Sequence, residues 1–132
     1  MKKKKAPALC PCGSLLDYKD CCGRFHQTEP APDALSLMKS RYSAFVKKDV
    51  DYLLKTWHES TRQNVLDLSE PIKWLGLKIL SYEPQGDKAT VSFIARGKIN
   101  GRAFQQVEKS RFVRENGLWF YVDGDLTDEH AQ

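Results

Sequence analysis

The first half of the chain repeats apolar residues with the period of an α-helix. Between positions 33 and 48 they recur at steps of three, four and three, at Leu35, Met38, Tyr42 and Phe45. This spacing lines one face of a helix that has 3.6 residues per turn, and Asp33 is a suitable N-cap. A second stretch repeats the pattern after Asp49 and predicts a helix that runs to about His58. The sequence therefore predicts two successive amphipathic helices.

The second half changes to a period of two, which is typical of strands with one buried face. The clearest alternation covers positions 89–95, and Asn100-Gly101 and Asn116-Gly117 are strong β-hairpin signals. Four strands are expected: from Trp74 to about Leu80, from Ala89 to Asn100, from Arg102 to Arg114 and from Leu118 to Val122. The apolar residues of 102–114 change face along the strand, which we interpret as a bulge or strong curvature. Helices followed by hairpins predict an α+β fold with helices packed on a curved antiparallel sheet.

Composition and charge narrow the class of protein. The 132 residues suit one domain with a small appendage. Of the 21 lysines and arginines, the four at positions 2–5 account for the excess over 17 acidic residues, so the body is balanced and nucleic-acid binding is disfavoured. The apolar residues at 6–9 are too few for a secretory signal, and no membrane span is expected. We therefore expect a cytoplasmic protein.

The four cysteines form a candidate metal site. Cys10, Cys12, Cys21 and Cys22 lie within thirteen residues, and no other cysteine follows. Four thiolates suit a closed tetrahedral zinc site, whose binding energy could fold a segment too short for its own core. Reactive thiols or disulfides are the alternatives, although a reducing compartment and the adjacent Cys21-Cys22 pair disfavour disulfides. His26 could replace one thiolate.

The cysteine segment resembles the SEC-C motif, a small zinc module at the C-terminus of the SecA secretion ATPase. The resemblance includes Gly13-Ser14 and Tyr18-Lys19, but Leu15-Leu16 stands where the motif usually has Gly-Lys. Residues 40–61 look like the YchJ family of bacterial proteins, in which a SEC-C motif precedes a domain similar to nuclear transport factor 2 (NTF2-like). The resemblance implies a cone of helices and a curved sheet, and it implies no established activity.

These observations predict two units. A lysine tail and zinc module would occupy 1–28, the α+β domain 29–132, and a Pro-rich linker would run from Gly23 to Pro32. The module would present Tyr18, Lys19 and Arg24. The acidic residues near the C-terminus are expected to form a solvated tail: Asp123, Asp125, Asp128 and Glu129.

A cone of this kind could hold a pocket, and six residues with aromatic or titratable side chains are candidates for its lining: Arg41, Tyr42, Trp57, His58, Trp74 and Glu108. Each has a structural alternative. His58 could end a helix, Tyr42 and Trp57 could be core, and Glu108 could pair with a basic neighbour across an exposed face. Ser110, Arg96 and Arg111 also interrupt the apolar alternation of the strands and could point into the same cavity.

Two hypotheses of function follow. The first is a zinc-binding protein without catalytic activity that binds a protein partner through the zinc module or a small molecule in the cone. The second is an enzyme that uses His58 or Glu108 for proton transfer on a small apolar substrate held by Trp57 and Trp74. A homodimer through a sheet edge is compatible with both.

Overall fold

The computed structural model describes the chain from residue 8 to residue 130, with side chains to residue 127. The predictions for the lysine tail at positions 2–5 lie outside these residues. A single 3-10 turn, Tyr18–Asp20, precedes three helices and four strands. They are α1 (Cys22–Gln27), α2 (Ala34–Lys47), α3 (Val50–Lys55), β1 (Ile72–Gln85), β2 (Lys88–Ile99), β3 (Arg102–Glu115) and β4 (Leu118–His130). Within residues 8–130 no helix has the length and apolar character needed to cross a bilayer.

Helix α2 begins and ends where local chemistry predicts. The Asp33 carboxylate accepts a hydrogen bond from the Ser36 amide at 2.7 Å, and the helix ends at Lys48 in a left-handed conformation. Helix α3 is shorter than predicted, because its backbone leaves the helix to pair with the sheet. The His58 amide donates to the Tyr121 carbonyl at 2.7 Å, and the Tyr121 amide donates to the Thr56 carbonyl at 2.8 Å.

The four strands form one antiparallel sheet in the order β1-β2-β3-β4, which confirms the α+β class. Asn100 and Asn116 both have positive φ, as their hairpin turns require. Strand β1 extends beyond the predicted 74–80 at both ends.

The curvature of the sheet comes from its outer strands. Register shifts in β1 leave Leu75 and Leu80 unpaired and about half exposed. The bulge expected within 102–114 is not in β3, because β3 pairs with β2 without interruption from Lys88↔Val113 to Ile99↔Arg102. The shift lies in β4 instead, where Val122 is the extra residue opposite Arg111 and Phe112.

Two hydrophobic cores share helix α2. One lies between α2 and the concave face of the sheet and includes Leu37, Tyr42 and Val91. The other packs Phe25 of α1 against Ala44 of α2 and residues of α3. The expected linker from Gly23 is therefore wrong in its first part, because Cys22–Gln27 is helix α1 and Phe25 is buried.

The predicted acidic tail is also wrong, since it belongs to strand β4. The Asp123 and Asp125 carboxylates accept hydrogen bonds from the guanidinium of Arg111 at 2.6 and 3.0 Å. These ion pairs lie on the outer face of the sheet. Asp128 and Glu129 are strand residues, and their side chains lie outside the described part.

Candidate functional site

The four cysteine sulfurs converge at one point. All four Sγ atoms lie within 4.8 Å of one another, and those of Cys12 and Cys21 are 3.6 Å apart. Zinc–sulfur bonds of about 2.3 Å place the sulfurs of a tetrahedral site roughly 3.8 Å apart. None of the cysteines forms a disulfide, and all but Cys21 are buried. The donor set and its spacing therefore fit one tetrahedral metal ion.

The backbone of the cluster explains how so short a segment brings its ligands together. An antiparallel bridge joins Leu9 to Asp17, and the Cys10 amide donates to the Leu16 carbonyl at 2.8 Å. Between them Gly13 turns with φ 89°, a left-handed conformation that glycine adopts without strain. The 3-10 turn and α1 then return the chain to the cluster at Cys21 and Cys22.

Two serine hydroxyls contact the sulfurs. Ser14 Oγ donates to Cys21 Sγ at 3.1 Å, and Ser43 Oγ lies 3.5 Å from Cys10 Sγ. Ser43 is fully buried on α2, 33 residues from Cys10, so sequence spacing gives no signal for it. Hydrogen bonds of this kind orient metal ligands.

Protons are unevenly shared among the thiols. A hydrogen bond from Cys22 lowers the pKa of Cys12 to about 4, and the same bond, together with burial, raises the pKa of Cys22. A divalent cation would supply the positive charge needed to hold the remaining sulfurs as thiolates as well.

His26 faces helix α2, and the four-sulfur group does not include it. Its Nε2 lies 2.7 Å from the Ser40 carbonyl, which can only accept, so Nε2 carries a proton. Nδ1 lies 2.5 Å from the hydroxyl of Tyr18. With both nitrogens engaged, His26 joins the cysteine module to the larger domain.

The face that the module presents differs from the expectation in one residue. Lys19 and Arg24 are exposed, whereas Tyr18 is half-buried with the Lys47 ammonium 4.0 Å from the centre of its ring. Tyr18 therefore faces the domain.

A second candidate site is a cavity of about 430 Å³ between α2 and the concave face of the sheet. Aromatic side chains contribute to the lining from both sides: Tyr42, Phe45, Trp57, Trp74, Phe93, Phe112 and Tyr121. Seven polar side chains share the lining: Arg41, Lys48, Asp67, Glu70, Gln106, Glu108 and Ser110. Five of the six residues proposed from the sequence thus line one cavity.

The sixth, His58, is not among the residues that line it. Because α3 ends at Lys55 and the chain then pairs with β4, the ring of His58 packs edge-on against Phe120. Its Nε2 contacts the Glu115 carboxylate at 2.8 Å and its Nδ1 contacts the Ser60 hydroxyl at 2.7 Å. His58 therefore lies outside the cavity lining, contrary to the prediction.

Arg41 brings a buried positive charge to the cavity. Its side chain extends from α2, and the residue is 7% exposed. Nη1 donates to the Leu53 carbonyl at 2.8 Å and to the Thr56 hydroxyl at 2.6 Å, and Cζ lies 4.6 Å from the centre of the Tyr121 ring. Burial lowers the pKa of Arg41 to about 10, which still leaves it charged at neutral pH.

Glu108 brings a carboxylate to the same cavity. Its Oε2 accepts hydrogen bonds from Ser110 Oγ at 2.5 Å and from the Tyr121 hydroxyl at 3.4 Å. Its cross-strand partners are Phe93 and Leu126, so the alternative of pairing with a basic neighbour does not describe it. Arg111 instead bonds Asp123, and Arg96 is exposed.

Gly124 makes room for this carboxylate. A Cβ atom at Gly124 would lie 2.5 Å from Glu108 Oε2. Gly124 was not predicted as a site residue, although a glycine inside a strand is a known signal of close approach.

The apparent change of face in β3 also has its explanation here. Phe104 and Phe112 share one face with the three residues between them that line the cavity, Gln106, Glu108 and Ser110. The apolar alternation is therefore interrupted by the polar part of the cavity.

Comparisons with known proteins agree with this architecture. Residues 7–24 match the SEC-C motif, and residues 33–124 match the family described as YchJ, middle NTF2-like domain. The fold and the cysteine cluster thus define an NTF2-like protein with an N-terminal SEC-C motif.

Relatives along the whole chain make the family specific. A UPF0225 protein of Bordetella parapertussis is 52% identical over 130 residues, covering 95% of this chain and 98% of its own. A UPF0225 protein of Methylibium petroleiphilum is 50% identical over 126 residues, which cover 93% of this chain and 92% of the relative. The chain belongs to the UPF0225 (YchJ) family.

Two solved structures share the fold. A SEC-C motif containing protein from Rhodopseudomonas palustris aligns with TM-score 0.80 at 34% identity, over 91% of this chain and 99% of its own. A SEC-C motif containing protein from Psychrobacter arcticus aligns with TM-score 0.72 at 28% identity, over 94% and 85%.

Proposed function

We propose that this protein binds zinc at its four cysteines and a small organic molecule in its cavity, and that it acts as a ligand-binding protein. The observation that carries the proposal is the cavity itself, in which Arg41 and Glu108 lie within an aromatic lining. Cavities that bind small molecules are mostly apolar, with a few polar groups that fix orientation.

The metal has a structural role in this proposal. Four thiolates complete a tetrahedral shell, so no coordination position is left for a substrate. Cys10 of the site contacts Ser43 of α2, and Arg41 and Tyr42 of the same helix line the cavity. Zinc would thus hold the module against the helix that forms one wall of the cavity.

Elemental analysis of protein purified without chelators tests the zinc proposal. One zinc per chain, with four thiols that react only after the metal is removed, is the expected result. Protein that lacks zinc and has four freely reactive thiols would contradict it.

Tryptophan fluorescence tests the cavity. Trp57 and Trp74 line it, so anilinonaphthalene sulfonate, an aromatic probe with one negative charge, should quench their emission saturably. Ala95→Leu fills space at the cavity wall and should weaken the binding of the probe. Ala103→Leu changes an exposed residue of β3 and should leave the binding unchanged. Equal affinity in both folded variants would contradict binding in the cavity.

Two earlier hypotheses stay predictions. A protein partner would meet the zinc module at its exposed residues, which include Lys19 and Arg24 together with Leu15 and Leu16. An enzyme would have to use Glu108, since His58 does not line the cavity.

A further inference from the structure

Arg41 has hydrogen-bonding capacity that the protein leaves unused. Within the described residues its hydrogen bonds all leave from Nη1. No fully buried side-chain nitrogen or oxygen in this part of the chain lacks a partner, so Nε and Nη2 are not fully buried, and Arg41 lines the cavity. A guanidinium with two free nitrogens is suited to bind a carboxylate.

Glu108 and Arg41 contact the same tyrosine, Tyr121. The guanidinium lies over the Tyr121 ring, and the hydroxyl of the same tyrosine contacts Glu108 Oε2. Among the described residues no ion pair joins Arg41 to Glu108, so the two charges share the cavity without neutralising each other directly. Oε2 is occupied by Ser110 and Tyr121, which leaves Oε1 to accept a hydrogen bond.

The charges around the cavity limit the ligand. Besides Arg41 and Glu108, the lining includes Lys48, Asp67 and Glu70, so acidic groups outnumber basic ones. This balance disfavours ligands with several negative charges, such as nucleotides. One carboxylate matches the single buried guanidinium.

We infer that the cavity binds a small monocarboxylic acid with a ring-sized apolar body and a hydroxyl or ammonium group next to the carboxylate. Arg41 receives the carboxylate, Glu108 Oε1 accepts from the hydroxyl or ammonium group, and aromatic residues such as Trp74 and Phe112 contact the body. A volume of about 430 Å³ is sufficient for one ring and a short polar chain. This inference rests on the proposed function, and it specifies the ligand class.

Three matched probes test it by calorimetry or NMR titration. 3-Phenyllactate carries the carboxylate and the hydroxyl, 3-phenylpropionate lacks the hydroxyl, and 3-phenyl-1,2-propanediol lacks the carboxylate. We expect 3-phenyllactate to bind most tightly, the propionate about 5-fold more weakly and the diol at least about 10-fold more weakly, because each lost hydrogen bond to a charged group costs affinity.

Variants assign the effects to residues. Glu108→Gln replaces a charged acceptor by a neutral amide, so it should reduce the preference for 3-phenyllactate over 3-phenylpropionate while the carboxylate is still bound. Arg41→Met should reduce the affinity for 3-phenyllactate to that for the diol. Arg114→Met, at an exposed arginine, is the control and should leave the affinities for all three probes unchanged. Arg41 also donates hydrogen bonds to Leu53 and Thr56, so Arg41→Met could fail to fold. In that case the three probes with the native protein and with Glu108→Gln test the inference.

The outcomes separate the two proposals. If the diol binds as tightly as 3-phenyllactate, or if anilinonaphthalene sulfonate enters the cavity and 3-phenyllactate does not bind, the ligand class is wrong and the cavity remains a binding site. If neither anilinonaphthalene sulfonate nor 3-phenyllactate binds, both the proposed binding function and the ligand class are wrong.

Discussion

Leu15 occupies a backbone conformation that favours glycine. Its φ is 68°, its side chain is 77% exposed, and it stands where the SEC-C motif usually has glycine. A left-handed conformation costs a residue with a Cβ about 1–2 kcal/mol, and the greater freedom of glycine in the unfolded chain offsets part of the gain. We predict that Leu15→Gly raises the free energy of unfolding of the metal-loaded protein by about 0.5–1 kcal/mol in urea.

Leu16→Gly is the control for this prediction. Leu16 is also exposed, but its φ is not positive, so glycine gains nothing there and should destabilise the protein. Equal destabilisation by both substitutions would show that Leu15 is not strained.

A second prediction concerns Gly124. The Cβ of alanine would collide with the Glu108 carboxylate, the movable end of a flexible side chain, so Gly124→Ala should displace the carboxylate, reduce stability by about 1 kcal/mol and weaken the binding of 3-phenyllactate. Gly76→Ala is the matched control in β1, because a Cβ there meets no atom within 4 Å. Thermal unfolding and calorimetry of both variants measure the effects. Unchanged unfolding and binding in Gly124→Ala would show that Glu108 does not need this space.

Individual residues were predictable from the sequence where their chemistry is local. The cysteine cluster followed from spacing, because its ligands lie within one short segment. Ser43 and Gly124 did not, because each acts on a residue far along the chain. His58 was placed wrongly because the pairing of its backbone with Tyr121, a tertiary contact, decides where the helix ends.

At the scale of elements, helix α2 serves two sites. Met38, Arg41 and Tyr42 line the cavity, whereas the buried hydroxyl of Ser43 lies beside Cys10 Sγ and the buried hydroxyl of Ser40 bonds Tyr52 of α3. The apolar spacing predicted only the first face. Buried serines leave no periodic signal, since each is buried for the sake of a particular hydrogen bond.

We predict that Ser43→Ala weakens zinc binding about 10- to 100-fold, because it removes the hydroxyl beside Cys10 Sγ. Competition with a chromophoric chelator measures the affinity. Ser36→Ala on the same helix is the control, since the backbone amide of Ser36 takes part in the N-cap. If both variants bind zinc like the native protein, Ser43 only packs beside the cluster.

The strands show what element-level prediction can reach. Asn100-Gly101 and Asn116-Gly117 fixed two hairpins, because positive φ at the turn is a local requirement. The length of β4 was missed, since Asp123 and Asp125 look like tail residues until Arg111 is placed beside them. Polar residues on β3 looked like a bulge because only the fold shows a cavity beside them.

For the whole molecule, buried tyrosines predict loss of stability in alkali. Burial raises the pKa of Tyr121 to about 12 and also raises the pKa of Tyr42 and Tyr52. Between the ordinary value near 10 and these raised values the unfolded chain binds fewer protons than the folded one, so stability falls as pH rises. We expect Tyr121 to contribute a loss of about 1 kcal/mol between pH 10 and 12, because its partial exposure to solvent reduces the effect.

Denaturant unfolding at several pH values measures this loss. Arg41, whose pKa is lowered to about 10, acts in the opposite sense, so the comparison of native protein with Tyr121→Phe isolates the tyrosine. Tyr82→Phe, at a more exposed tyrosine, should keep the alkaline loss. If the free energy of unfolding of Tyr121→Phe falls with pH as steeply as that of the native protein, the prediction is wrong.

Metal removal tests whether the cysteine module and the NTF2-like domain fold as one unit. Phe25 packs between α2 and α3, His26 bonds the Ser40 carbonyl, and Cys10 contacts Ser43, so the module contributes to the core of the domain. We predict that chelation lowers the thermal midpoint of the whole chain, with module and domain still unfolding in one transition.

The opposite outcome is an unchanged midpoint in the fluorescence of Trp57 and Trp74. It would show that the units are independent, because the melting of a detached module would leave the cavity intact. Phe25→Ala should reduce the effect of chelation by weakening the contact, whereas Leu9→Ala, an exposed residue of the module, should preserve it.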